Sequence, residues 1–190
     1  MPAPPESRMP ATIALTGFMA AGKTTVGRAL ASMLRWRFID LDCEIEVQAQ
    51  QSVREIFVER GEEGFREIEG AALRSVLEGA TTPTVIALGG GTFVQPANAE
   101  RLRQSGTRVV FLELSLEQLL ERCRAAGERC QENPRPLARD EEAFCALYVQ
   151  RLPFYRQADL IVNAEGKVPE QVAREIARSL RLQAAAGLDW

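Results

Sequence analysis

The chain has 190 residues, 46% hydrophobic and 26% charged, with a formal net charge of −3 and no histidine. That length supports one domain with a full core, while the acidic balance lacks the basic field that nucleic-acid binders carry. No apolar run approaches the ~20 residues of a membrane span, and without histidine there is no Ser-His or Cys-His nucleophile, so a proton acceptor has to be a carboxylate.

Residues 1–11 carry four prolines and no apolar run, and are expected to form a disordered tail rather than a signal peptide. Cytoplasmic placement is the corresponding expectation. The cysteines at 43, 123, 130 and 145 make no C-x-x-C pair, so they read as thiols rather than a zinc site.

Thr12-Ile13-Ala14-Leu15-Thr16 reads as a buried strand. Gly17-Phe18-Met19-Ala20-Ala21-Gly22-Lys23-Thr24 follows and fits G-x-x-x-x-G-K-[ST], the phosphate-binding loop. Val26, Leu30, Met33 and Leu34 then recur at helical spacing. The residue types answer a physical need. Glycines let successive N–H groups turn toward a phosphate, and the helix start adds its positive end. Lys23 supplies a compact cation for the β- and γ-phosphates and Thr24 a hydroxyl for Mg²⁺. Of the 23 basic residues only Lys23 and Lys167 are lysines, so a point charge stands where one is wanted. Gly17, Ala20, Ala21, Gly22, Lys23, Thr24 and Thr25 are the candidate nucleotide contacts on this stretch.

Phe38-Ile39-Asp40-Leu41-Asp42 reads as a short strand ending in two acids. If extended past Leu41, it would show both carboxylates on one face. One acid can then hold Mg²⁺ through water and the other accept a hydroxyl proton. The alternative is that Asp42 caps the next helix and Asp40 is a solvated strand end. Helical segments are expected over 43–49, 53–60 and 62–77. Thr84–Leu88 reads as a third strand, closed by Gly89-Gly90-Gly91, which either admits a ligand to backbone N–H groups or is a plain turn. A helix over 97–104, a strand over 108–114 and a helix from Leu116 to about Cys123 follow. Residues 125–139, with Gly127, Pro134 and Pro136, lack periodicity and are expected to form a mobile loop or lid. A helix over 140–152, a strand over 160–162 and a last helix with Val172, Ile176 and Leu180 complete the chain. This alternation predicts an α/β fold with a parallel sheet flanked by helices. Ligands in such sheets sit beyond the carboxyl ends of the strands.

Three sets of arginines are candidates. Arg66 has a bland reading as an i,i+3 partner of Glu69. Arg151 falls on the apolar stripe of Phe144, Leu147, Tyr148 and Leu152, so it needs either an internal acid or a substrate carboxylate. Arg122, Arg124, Arg129, Arg135 and Arg139 could close a cationic lid over phosphates, with a solvated loop as the alternative for Arg124 and Arg129.

In order and spacing these features resemble the shikimate kinase family from about residue 12 to 182. The matching stretches are Gly17–Thr24, Phe38–Asp42, Gly64-Phe65-Arg66-x-x-Glu69, Ala87–Gly91, Arg135-Pro136-Leu137 and Arg151-x-Pro153-x-Tyr155-Arg156. The resemblance implies a three-layer, nucleoside-monophosphate-kinase-like P-loop fold with a five-stranded parallel sheet. It implies transfer of the ATP γ-phosphate to the 3-hydroxyl of shikimate, in aromatic amino-acid biosynthesis. The implied cofactors and ligands are ATP, Mg²⁺ and shikimate, with no nucleic-acid or membrane partner and a monomer expected. Lys23, Asp42 and Arg135 are the implied catalytic residues. Thr24 and Asp40 hold the metal, and Asp42, Arg66, Gly89, Gly90, Gly91 and Arg151 hold the substrate, with Glu69 orienting Arg66. Arg122, Arg135 and Lys167 flank the nucleotide. The implied boundaries are a tail at 1–11, a domain at 12–182 with a lid at about 125–139, and a tail at 183–190. The family often has glycine at the position of Ala20; alanine disfavours positive φ, so αR or β backbone is expected there. The alternatives are another polyhydroxy-acid kinase on the same fold, or a non-catalytic sensor of shikimate or ATP.

Overall fold

The computed structural model describes residues 12–129 and 140–182. Its five strands are β1 (Thr12–Thr16), β2 (Arg37–Asp40), β3 (Thr84–Ala87), β4 (Arg108–Glu113) and β5 (Leu160–Asn163). All pair in parallel, in the order β2-β3-β1-β4-β5. The helices are α1 (Lys23–Leu34), α2 (Leu41–Ala49), α3 (Val53–Glu78), α4 (Pro96–Gln104), α5 (Leu116–Arg129), α6 (Glu141–Tyr155) and α7 (Pro169–Ser179).

The sheet is buried on both faces, which is why β1 and β3 read as unbroken apolar runs rather than alternations. Side chains still alternate across it. Ile13, Leu15 and Val85 join one core with Leu30 of α1 and Ile176 of α7. Ala14 and Ile86 join the other with Leu73 of α3 and Leu102 of α4. Register brings three strand ends level, because Ala87 lies opposite both Leu15 and Asp40. The connection leaving β1 runs to the β2 edge, whereas that leaving β3 crosses β1 to reach β4. Diverging connections of this kind open a crevice above the strand ends.

Several local expectations change. The second strand stops at Asp40 and Leu41 already begins α2. The reason is a cap: the Asp40 carboxylate accepts from the Asp42 N–H at 3.2 Å and turns the chain into the helix. Asp40 and Asp42 therefore do not share the face of one strand, and Asp40 rather than Asp42 is the capping residue. The break expected between residues 60 and 62 is present, at Gly61 with φ 67° and ψ −171° inside α3. Helix α5 runs on through Arg129, into the stretch expected to be irregular. Residues 130–139, with Arg135 and Arg139, lie outside the described residues. Helix α6 absorbs Pro153 and continues to Tyr155 instead of ending at Leu152. Cys43 and Cys145 carry free thiols and Cys123 is buried.

Ala20 is a further correction. Its φ is 61°, in the left-handed region expected to be avoided. The loop has to reverse between β1 and α1 in a few residues, and that demand overrides alanine's preference at a cost of about 1–2 kcal/mol. Ala20→Gly is expected to raise stability by about 1 kcal/mol, after the extra chain entropy of glycine is subtracted. In a domain of this size that is about 2–4 °C in melting temperature. An unchanged or lower melting temperature would mean that the loop stores no strain there.

Candidate functional site

Helix α1 starts without a side-chain cap. Its N-cap is Gly22, at φ 89°, and its first turn holds no acid. The orphan N–H groups of that turn are thus left for an external anion. At Gly17, φ is 145° and an added Cβ would lie 3.0 Å from the Leu112 carbonyl oxygen, so glycine is required to pass the β4 end. Lys23 curls back over the loop, its ammonium donating to the Gly17 and Phe18 carbonyls at 2.9 and 3.0 Å. Ala21 is buried behind the loop, and its N–H donates to the Phe18 carbonyl at 3.2 Å.

A cleft of about 710 Å³ opens above this loop. Ala20, Gly22, Lys23, Thr24 and Thr25 line it from α1 and the turn before it; Asp40, Asp42, Gly90 and Arg122 line it from the other strand ends and α5. The Thr24 hydroxyl donates to the Asp40 carboxylate at 2.6 Å, so two hard oxygens stand together at the phosphate cradle. An added Cβ on Gly22 would lie 3.7 Å from Arg122 Nη1, placing that guanidinium over the loop.

Asp42 faces the open cleft and so retains solvent-accessible area. Protein nevertheless crowds its other sides. Desolvation pushes its carboxyl above the usual range, against the pull of Lys23 and with help from Asp40 and Glu69. Lys23 and Asp42 therefore act on each other across one cavity.

The second wall is built by the glycine run. A Cβ on Gly89 would come within 2.8 Å of Asp42 Oδ1 and 3.1 Å of Glu69 Oε1. On Gly91 it would collide with the Arg66 guanidinium, 2.5 Å from Nη2. On Gly90 it would sit 3.8 Å from Arg151 Nη1 and 3.9 Å from the Gly17 carbonyl. The run is thus the place where Asp42, Arg66, Arg151 and the phosphate loop approach one another, and a plain flexible turn does not describe it.

The Arg66–Glu69 pair is present, at 2.9 Å, but it is not bland. Glu69 is 0% exposed and its other oxygen accepts from the Thr92 hydroxyl at 2.7 Å. Glu62 takes Arg66 Nη2 at 3.2 Å. Burial opposes the charge on Arg66, but Glu69 and Glu62 outweigh it and hold the guanidinium firmly protonated. Arg151 is different. Among the described residues no carboxylate pairs with it; its guanidinium lies beside Gly90, whose carbonyl accepts from the Tyr155 hydroxyl one helical turn further on.

One sequence candidate falls elsewhere. Lys167 is not among the residues lining the cleft: its ammonium pairs with Glu175 at 2.6 Å, beside a separate hollow on α7. Arg135 lies outside the described residues. Arg124 pairs with Glu141 across α5 and α6, in keeping with a structural rather than a ligand-facing role. The sequence reading missed Val53 and Phe57, which line the cleft from the first half of α3. Phe57 is 37% exposed yet stacks on Phe65 at 4.3 Å, and a large apolar side chain facing outward was its available signal. Thr92 was also missed; a hydroxyl directly after a glycine run at a strand end was the clue.

Comparison with known proteins agrees with this geometry. A family model described as shikimate kinase matches residues 19–181. The shikimate kinase of Moorella thermoacetica is 41% identical over 175 residues, covering 91% of this chain and 96% of that protein. That of Geobacter sulfurreducens is 43% identical over 171 residues, covering 89% and 90%. Among solved structures, the shikimate kinase from Acinetobacter baumannii in complex with shikimate superposes with a TM-score of 0.78 at 33% identity, over 92% of this chain and 94% of that one. With the matched region spanning the phosphate loop's Lys23, the acids at the strand ends and the Arg66–Arg151 wall, this chain belongs to the shikimate kinase family.

Proposed function

We infer that this protein transfers the γ-phosphate of ATP to the 3-hydroxyl of shikimate, giving shikimate 3-phosphate and ADP within aromatic amino-acid biosynthesis. The observation that carries this reading is the approach of two arginines, Arg66 to Gly91 and Arg151 to Gly90, with Gly90 lining the cleft that also holds Lys23 and Asp42. Paired guanidiniums suit a carboxylate, and a carboxylate beside them suits hydroxyls. Paired arginines together with a hydroxyl-binding Asp42 favour a polyhydroxy acid over a nucleotide acceptor.

In this mechanism the loop N–H groups and Lys23 grip the triphosphate, and Lys23 leaves the Gly17 and Phe18 carbonyls to do so. Arg66, Arg151 and the glycine run orient the acid so that its 3-hydroxyl faces the γ-phosphorus. The hydroxyl oxygen bonds to phosphorus, the bond from phosphorus to the bridging oxygen breaks, and ADP departs with that electron pair. Asp42 accepts the hydroxyl proton, and its raised affinity for protons suits it as a base. Arg122 lies over the loop, where it can offset charge on the nucleotide, and Arg135 is the family-matched counterpart from the lid. Thr24 and Asp40 would hold Mg²⁺, Asp40 through water; their adjacent hard oxygens fit an ion that takes its other ligands from phosphates and water. When bound, Mg²⁺ neutralises charge on the β- and γ-phosphates.

The same proposal takes residues 12–182 as the catalytic domain, with a lid at about 125–139 that starts in the last turn of α5, and a cytoplasmic monomer. No helix among the described residues is long and apolar enough to cross a membrane. The test is ADP release with shikimate, gluconate and nucleoside monophosphates as acceptors, with and without Mg²⁺. Release that requires both shikimate and Mg²⁺ is expected. Preference for another acceptor would reassign the substrate, and shikimate binding without ADP release would make the protein a sensor.

A further inference from the structure

The motif Arg151-x-Pro153-x-Tyr155 contains a residue that the mechanism above does not use. Tyr155 ends α6 and is 0% exposed. Its ring stacks on Phe111 of β4, with centroids 5.3 Å apart and planes 25° apart, so it cannot swing. Four residues earlier on the same helix face stands Arg151. The Tyr155 hydroxyl donates to the Gly90 carbonyl, and the Arg151 guanidinium lies beside the same residue, its Nη1 3.8 Å from where a Gly90 Cβ would stand. A phenol has one proton to give and lone pairs to present, so this hydroxyl can hold the peptide and face the cation at once. Burial raises the phenol pKa to about 12, which keeps that proton in place throughout the neutral range.

The two arginines thus have opposite partners. Arg66 is oriented by two carboxylates, which also cancel its charge. Arg151 has a neutral hydroxyl beside it, which leaves its charge for an incoming anion. The bond to Gly90 matters as well. A trans peptide is planar. With the Gly90 carbonyl turned to Tyr155, the Gly91 N–H is turned the opposite way.

We propose that Tyr155 is a positioning residue for substrate recognition: its hydroxyl ties Arg151 to the Gly90 peptide, so that an uncancelled cation and an oriented glycine wall meet the substrate carboxylate together. This rests on the reading of Arg151 as the carboxylate grip.

The test is steady-state kinetics of Tyr155→Phe, which keeps the ring and removes the hydroxyl. The shikimate KM is expected to rise about tenfold, the scale of one charge-assisted hydrogen bond. The ATP KM stays within about twofold and kcat changes little, since neither the phosphate loop nor Asp42 is touched. In an Arg151→Leu background, adding Tyr155→Phe produces a clearly smaller rise than in the parent, because only the part that acts through the Gly90 peptide is left. An unchanged shikimate KM, a matched rise in both KM values, or independent multiplication of the two substitutions would overturn the proposal. Should Tyr155→Phe fail to fold, Arg151→Lys serves instead. It keeps the charge but lacks the planar fork that bonds a phenol and a carboxylate at once, and a shikimate KM within twofold of the parent would overturn the proposal. A parent enzyme that releases ADP with shikimate while Tyr155→Phe behaves normally refutes this inference alone. A parent that releases none removes the reading beneath it.

Discussion

Replacing Lys23 with alanine, or Asp42 with asparagine, is expected to leave a folded protein that has lost at least about 10²-fold in turnover, the scale of one preorganised catalytic group. Lys23 bonds backbone carbonyls of its own loop at the cleft and Asp42 faces the open cleft, so neither substitution opens the core. Circular dichroism checks the fold, and ADP release checks the rate. Near-normal turnover in either variant would remove that residue from the chemistry. Asp42→Asn carries a second signature. Because the folded protein raises the Asp42 carboxyl pKa, ionised Asp42 opposes folding at any pH above its folded pKa. The asparagine variant should therefore be more resistant to denaturant than the parent at pH 7. That advantage should fade as pH falls through the folded pKa, where the parent also becomes neutral. A chemically inert but more stable variant is what a group held for function predicts.

Arg151→Leu is expected to raise the shikimate KM on the order of 10²-fold and to leave the ATP KM nearly unchanged. Losing one partner of a close charge pair across a binding interface is an effect of that size. Leucine suits the helix and the neighbouring apolar stripe, since Phe144 is fully buried and Leu147 and Leu152 pack against the same core. The fold should therefore survive. Comparable rises in both KM values would mean that Arg151 shapes the whole cleft rather than gripping the acid. Glu69→Gln offers a contrast, because the neutral amide could still meet Thr92 but would leave the half-buried Arg66 less compensated.

Much of the architecture was legible before any coordinates. Burial on both sheet faces writes unbroken apolar runs into β1 and β3, helices write a 3.6-residue period, and glycines punctuate the joints. The break at Gly61 followed from the same logic. Three local expectations gave way. An Asp40 cap hydrogen bond ends the second strand two residues short of Asp42. The helix expected over 140–152 runs on through Pro153, and packing carries it to Tyr155, which is buried. Ala20 was placed by intrinsic preference, and the tight reversal into α1 prevailed.

What the residue order alone determined was each local device: a phosphate loop ahead of a helix, acids and glycines after strands, and an arginine on an apolar stripe. Capping, periodicity and turn chemistry act over a few residues, so contiguous sequence records them. What only the tertiary structure decided was which devices meet: Gly90 beside Arg151 and Gly17, Thr92 beneath Glu69, Tyr155 joining helix to glycine wall, and Lys167 turned to Glu175 instead of the cleft. Those proximities follow from strand register and the packing of α3 and α6 over distant chain segments. Such long-range contacts leave no periodic mark at the positions that make them.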